Sequence, residues 1–492
     1  MQIVKSVLTG VVALVLPAAL AFAVDGANDP AGIPEAVPAI YVADFVSTAA
    51  FGVAMNDAGD VTGSSYTDPG CGPFCLPPLE TVVWKRGPSM GLRSGQRIVL
   101  PPVPGLTGIT VRGINSQGWV AGFAGFPPTV ATHAVVWKWN GHSYTGIDLG
   151  VLPGTTTSEA IGIDNLGRVV GWSTTLNFPP NGSPFMWSEA TGMVDLAAQG
   201  FPDDIPLAIS PGGAVATPGY WYKLGDPASV VPMPSPPQGF FPPGTYPTAI
   251  NDSGDQARFL VTTSSQNPAY LFRFHQQGTW QQISFTPNFG STPYGIGSIN
   301  AAGDVTATVQ GDAQIAGGPD GLTQPLAPLL SPAYNSLGIA AGGPIDASGQ
   351  ILAQVFIGNS RRLMRLTPGS FCTSNCIRVS SLQMTGEFVQ DPADPGHCSP
   401  GNNAYNRVSA TAMVTDEAGV PLSGVLVRGR LLDDYWTNRP VSATTDAEGR
   451  VYFKSRGPCG VGAVAFLVDS AQRGSQTLDR TSGILSSSVI PH

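Results

Sequence analysis

The chain has 492 residues, only 12% of them charged, and 24 Lys and Arg against 33 Asp and Glu leave a net charge of −9. That length bounds it at two or three domains, and 42% hydrophobic content with nine Trp excludes a disordered polymer. The 61 Gly and 46 Pro favour short strands and many turns, and an acidic balance without any basic run argues against nucleic acid or an anionic membrane as partner.

Residues 1–23 read as a secretory signal peptide. Lys5 supplies the positive start, Val11 to Leu20 the apolar stretch, and Ala21-Phe22-Ala23 a small-x-small cleavage site. Pro17 interrupts the apolar stretch, which is too short for a membrane anchor. The expected location is extracellular or periplasmic, with no membrane insertion.

One short phrase then recurs seven times: an aliphatic residue, then Asn, Asp or Ser, two small residues and Gly. It ends at Gly59, Gly118, Gly167, Gly213, Gly254, Gly303 and Gly349, spaced 41 to 59 residues apart. Its polar member is Asn56, Asn115, Asp164, Asn251, Asn300 or Asp346, with Ser210 in the eroded fourth copy. A period of about 40–50 residues predicts a radial β array. Each copy predicts a hairpin: the Asn or Asp side chain pins the turn and the Gly supplies positive φ.

The second half of each unit is a strand ending in a bulky residue, as in Val82-Val83-Trp84, His133 to Trp137, Pro184 to Trp187, Gly219 to Trp221, Ala269 to Phe272 and Arg362 to Met364. The sixth unit shows no such strand. Four strands per unit predict one propeller blade, its aromatic filling the wedge to the next sheet. The seventh unit lacks a fourth strand, and Ala39-Ile40-Tyr41-Val42-Ala43 stands unpartnered ahead of the first. The N-terminal segment is therefore predicted to complete blade seven and latch the ring.

The stretch Asp148 to Gly154 followed by Ala160 to Asp164, together with His133-Ala134-Val135, resembles the HAF-type extracellular repeat family. The resemblance covers most of 50–370, is strong in the second and third units and fades from the fourth. It implies a secreted, propeller-like protein without assigned chemistry.

Beyond about 377 the pattern changes to longer alternating strands with turns at Asp416 to Gly419 and Asp446 to Gly449, which predicts an Ig-like β-sandwich over 377–480 and a tail at 481–492. The runs Val414 to Val425 and Thr444 to Val451 resemble bacterial Ig-like modules appended to secreted proteins. Six Cys fall into local groups, Cys71 with Cys75, Cys372 with Cys376, and Cys398 with Cys459, and pairing within each group is expected; cross-pairing of the first two groups stays open.

Candidate chemistry is sparse. Asn-Asp-x-Gly-Asp at 56–60 and 251–255 has the look of a calcium loop but lacks the distant bidentate Glu. Gly87 to Gly91 matches Gly-x-Ser-x-Gly, yet no helix follows it. Five His share no metal-ligand spacing, and Arg112, Arg168 and Arg258 fall at different offsets in their units. No catalytic, cofactor or metal residue is assigned. The expected protein is all-β, a seven-bladed β-propeller over 39–370 followed by the sandwich. It would bind an extracellular glycan or protein without catalysis, through the funnel or through the Cys71/Cys75 loop and the Pro-rich 227–247 insert. The alternative is a carbohydrate-active hydrolase or lyase in the funnel.

Overall fold

A computed structural model describes residues 40–48, 50–66, 79–86, 96–125, 132–175, 182–240, 248–261, 263, 269–275, 279–283, 295–309, 312–318, 321–357, 360–390, 405–433, 438–458 and 462–491. Among these the regular structure is β, apart from three short 3-10 turns, and no helix is long and apolar enough to cross a membrane.

Seven four-stranded antiparallel sheets form a β-propeller; blades 1 to 7 start at the inner strands Ala50–Met55, Ile109–Ile114, Thr157–Ile163, Ala208–Ile209, Thr248–Ile250, Gly295–Ile299 and Gly338–Ile345. Alternating apolar residues run to the Asn or Asp turn, reverse, and reverse twice more. Blade 2 shows the plan: Ile109–Ile114, Val120–Ala124, His133–Trp139 and Tyr144–Asp148, hydrogen-bonded in that order. Blade 6 supplies the strand that the sequence left unplaced, Asp312–Ala316. It carries Ile315 in place of an aromatic, and that side chain is buried.

A blade buries neither face alone, so the core lies between blades. Among the described residues seven apolar clusters occupy the seven junctions, and the one between blades 6 and 7 continues into the core of the C-terminal module. Trp137 of blade 2 packs with Val83 and Leu100 of blade 1, and Tyr222 of blade 4 packs with Val170 of blade 3. Closure is by the N-terminal strand. Tyr41–Thr48 pairs antiparallel with Ser360–Pro368, Tyr41 opposite Pro368, giving blade 7 its fourth strand.

The C-terminal module is one eight-stranded sheet in two groups of strands, joined by Gln476–Leu478, which pairs antiparallel with Val464–Arg473 and parallel with Cys376–Val389. Cys376–Val389, Tyr405–Thr415 and Arg450–Pro458 form one; Leu426–Asp433, Asn438–Thr444, Val464–Arg473 and Ser486–Val489 form the other. Tyr405–Thr415 alternates buried and outward residues, and Phe453 meets Phe466 of the facing group at 4.8 Å between ring centroids, so the groups pack as layers. Residues 481–492, expected as a tail, contain the Ser486–Val489 strand instead. Leu485 is fully buried beside it, and its amide donates to the Ala333 carbonyl of the ring at 2.7 Å.

The module grips the closure seam. Arg480 reaches Asp44 Oδ1 at 2.8 Å, the Ala43 carbonyl at 2.7 Å and the Tyr334 hydroxyl at 3.0 Å. Arg430 lies 4.4 Å over the Phe45 ring while paired with Asp469 at 2.8 Å. Burial pushes the Tyr334 hydroxyl pKa up, against the opposing pull of Arg480. Cys372 and Cys376 form a disulfide where the ring passes into the module. Cys71, Cys75, Cys398 and Cys459 lie outside the described residues.

Candidate ligand channel

The recurring turns encircle one mouth of the propeller's central channel, and their polar side chains serve two purposes. Within each turn the side-chain oxygen caps its own backbone: Asn115 Oδ1 accepts from the Gln117 amide at 3.1 Å and the Trp119 amide at 2.9 Å. The seven turn glycines have φ between 77° and 87°, a region closed to most side chains. The other end of each Asn points outward to the next blade.

Hydrogen bonds between neighbouring turns run right around the ring. Asn56 Nδ2 donates to the Asn115 carbonyl at 2.8 Å, and Asn115 Nδ2 to the Asp164 carbonyl at 3.0 Å. The Asn165 amide donates to the Pro211 carbonyl at 2.8 Å, and the Gly212 amide to Asp252 Oδ1 at 2.6 Å. Asn251 Nδ2 reaches the Asn300 carbonyl at 3.2 Å, and Asn300 Nδ2 the Asp346 carbonyl at 3.3 Å. The Ala347 amide completes the circuit on Asp57 Oδ1 at 3.1 Å. Where Asp164 replaces Asn and has no donor, Arg168 stands in, paired to Asp164 at 2.6 Å and donating to the Leu224 carbonyl of blade 4 at 2.9 Å.

These bonds occupy the acidic groups that had the look of calcium ligands. Asp60 accepts from Lys85 Nζ at 2.7 Å and from the Arg86 amide at 3.0 Å. Asp255 of the second loop accepts from Asn251 Nδ2 at 3.4 Å and lies 3.4 Å from His275 Nδ1. Among the described residues no three His, Cys, Asp or Glu converge as a metal site. Burial pushes the Asp346 carboxyl pKa up, and its Oδ2 has no hydrogen-bond partner.

Above the turns, four of the inner strands carry a bulge at the same offset, three residues before the turn Asn or Asp. The extra residues are Val53, Arg112, Ile161 and, without a side chain, Gly297. A bulge re-aims a side chain, and here it turns toward the axis. At the same offset Leu207, Thr248 and Gly297 also line the channel. The lining is thus lopsided, bulky over blades 1 to 4 and small over blades 5 and 6. The opposite strand must yield to the bulge: a Cβ on Gly122 would meet the Thr110 carbonyl oxygen at 2.0 Å.

The channel encloses about 370 Å3, within the range of small-ligand sites. Ile114, Ile163, Ile209, Ile250, Ile299 and Ile345 give it an apolar wall. Arg112 is the one cation among its described lining residues, exposed on its strand with its guanidinium 5.5 Å from the Phe123 ring. The carboxylates there are Asp57 and Asp252, each holding a neighbouring blade's amide, and buried Asp346.

The other arginines noted in the sequence are structural. Arg258 is buried between blades 4 and 5, donating to the Thr217 carbonyl at 2.6 Å and Gln256 Oε1 at 2.8 Å; burial pulls its pKa down to about 10. His133 lies 2.9 Å from Asp148 on the outer strands of blade 2. Gly87 to Gly91 and the Cys71/Cys75 loop lie outside the described residues, and the 227–247 insert begins inside the outer strand of blade 4, Asp226–Pro232. Arg112 was noted in the sequence without its place. Its place three residues before the turn Asn, the bulge position of its blade, was the signal that could have found it.

A scan against protein-family models and a search of curated proteins find no match. Among solved structures, the chain is similar to the extracellular domain of a hybrid two component system from B. thetaiotaomicron, at 10% identity and a TM-score of 0.33, over 87% of this chain and 67% of that one. A gluconolactonase from Xanthomonas campestris matches at 11% identity and 0.29, over 69% and 98%. Trypanosoma rangeli sialidase bound to the inhibitor DANA matches at 9% and 0.31, over 84% and 89%. No residue of this chain takes a role from likenesses at this level.

Proposed function

We propose that this chain is a secreted, non-catalytic binding protein: a diverged ring of HAF-type repeats with an appended Ig-like module, taking the acidic end of an extracellular glycan into its central channel. One observation carries the reading. Arg112 is the one cation among the described residues lining the channel, set beside a wall of Ile side chains, while Asp57 and Asp252 at the turn mouth each hold a neighbouring blade's amide. Such a wall favours an apolar sugar face, and a guanidinium beside it favours a carboxylate by charge-assisted hydrogen bonding. The Cys372–Cys376 disulfide fits an oxidising compartment.

The test is a glycan array and a broad glycosidase panel on the purified full chain. Retention of acidic glycans without turnover, reduced about tenfold or more by Arg112→Ala with an unchanged melting temperature, supports the proposal. Turnover abolished by Asp57→Asn or Asp252→Asn would replace it with the hydrolase reading.

A further inference from the structure

We infer that the outward face of the three-stranded layer in the C-terminal module is a second binding surface, for an acidic polysaccharide chain. It goes beyond the channel reading and uses none of its residues. The edge strand Arg450–Pro458 turns Val451 and Phe453 inward, so Arg450, Tyr452, Lys454 and Arg456 share the exposed face. The neighbouring strand places Arg407 directly opposite Arg456. Four cations and one carboxylate, Glu387 beside Arg407, thus stand together on a protein whose net charge is −9.

This arrangement is costly unless something anionic covers it. Like charges directly across a sheet oppose one another. Arg456 and Arg407 are tolerated because Tyr405 lies between them, its ring centroid 3.6 Å from the Arg456 guanidinium carbon and its hydroxyl 3.0 Å from Arg407 Nη2. Along the strand, Arg450 to Arg456 spans about 20 Å, enough for several sugar units. Between the cations Tyr452 is 53% exposed, a platform for a sugar face, with Thr411 opposite it and Ser409 opposite Lys454. Successive bases of a nucleic acid need successive stacking rings, and the other ring of this face is already covered by Arg456. No basic run announces the surface in the sequence, because strand alternation separates its cations by single inward residues.

The experiment uses the purified full chain, immobilised polygalacturonate and neutral dextran, at 50 and 300 mM NaCl. Saturable binding to polygalacturonate and not to dextran is expected, weakened at least tenfold by the higher salt and by Lys454→Gln/Arg456→Gln. Tyr452→Ala weakens it further, and these losses are expected to the same extent when the substitutions are made in an Arg112→Ala background, which separates this surface from the channel. The single variant Lys454→Gln serves if the double variant does not fold. Absence of polygalacturonate binding at low salt overturns the inference, as does retention by Lys454→Gln equal to wild type. Stronger binding to duplex DNA or anionic vesicles, or variants that bind normally but self-associate through an unprotected edge strand, overturns it too.

Discussion

The side-chain amide of Asn115 donates to the backbone carbonyl of Asp164, 3.0 Å away in the next blade, while its carbonyl oxygen caps its own turn. One residue type thus folds a hairpin locally and fastens it to its neighbour. That explains why the phrase prefers Asn: Asp and Ser can cap but carry no amide to send across.

Replacing Asn115 by Asp keeps the cap and removes the bridge, and it sets a carboxylate oxygen against the Asp164 carbonyl. We expect a loss of about 2 kcal/mol, the range for a buried acceptor deprived of its donor. Urea unfolding at pH 7 measures it. An unchanged midpoint would mean that the ring of inter-turn bonds contributes nothing to stability.

Asp346 is the reverse case. Its carboxyl is buried with Oδ2 unpartnered, and burial raises its pKa above the ordinary carboxylate value. A raised pKa means that the folded state holds the proton more tightly than the unfolded chain, so this contribution to stability is present at low pH and lost as pH rises. Asp346→Asn removes the buried charge and offers an amide to blade 1. The variant is expected to be more stable than wild type by about 1 kcal/mol at pH 7, with the difference shrinking toward pH 4. Paired denaturation curves at the two pH values decide; a variant weaker than wild type at pH 7 sinks the idea.

Gly122→Ala tests the bulge that turns Arg112 inward. The new Cβ would fall 2.0 Å from the Thr110 carbonyl oxygen, so the backbone must shift. A cost of about 2–3 kcal/mol is expected, as for overpacking. If the melting temperature holds and acidic-glycan retention is unchanged, the bulge is not what aims Arg112.

Much of the ring was legible because hairpin chemistry is local. The Asn or Asp and Gly of each phrase mark the inner hairpin of every blade, and the unpaired Ala39 to Ala43 segment pointed to the closing strand. What escaped depends on residues far apart in the chain or on atoms that composition does not distinguish. Nothing in the sequence pairs Arg480 with the Ala43 carbonyl, 437 residues away. The inward role of Arg112 needed the bulge, and Ser486–Val489 is too short and polar to read as a strand until Leu485 is seen packed against blade 7. In blade 6 a small wedge around Ile315 hid the strand that other blades mark with Trp.

The seam between module and ring carries the last prediction. Arg480 is presented by a turn that Asp479 organises, accepting from the Thr481 amide at 3.0 Å, the Thr481 hydroxyl at 2.8 Å and the Ser482 hydroxyl at 2.6 Å. Burial pushes the Asp479 pKa upward, but those hydroxyls, that amide and Arg378 outweigh it and hold the carboxyl below its usual range. A depressed pKa places the stabilisation above the unfolded value near 4 and removes it as pH falls through the folded one. Asp479→Asn is therefore expected to cost about 2 kcal/mol at pH 7, and the gap to wild type should narrow as pH falls below the ordinary carboxylate range. Arg480→Leu, which strips Asp44 and the Ala43 carbonyl of their donor, is expected to cost at least as much at both pH values. Urea unfolding of the three proteins at pH 7 and pH 3 measures this. A gap for Asp479→Asn that stays constant with pH would detach the Asp479 turn from the acid sensitivity of the seam.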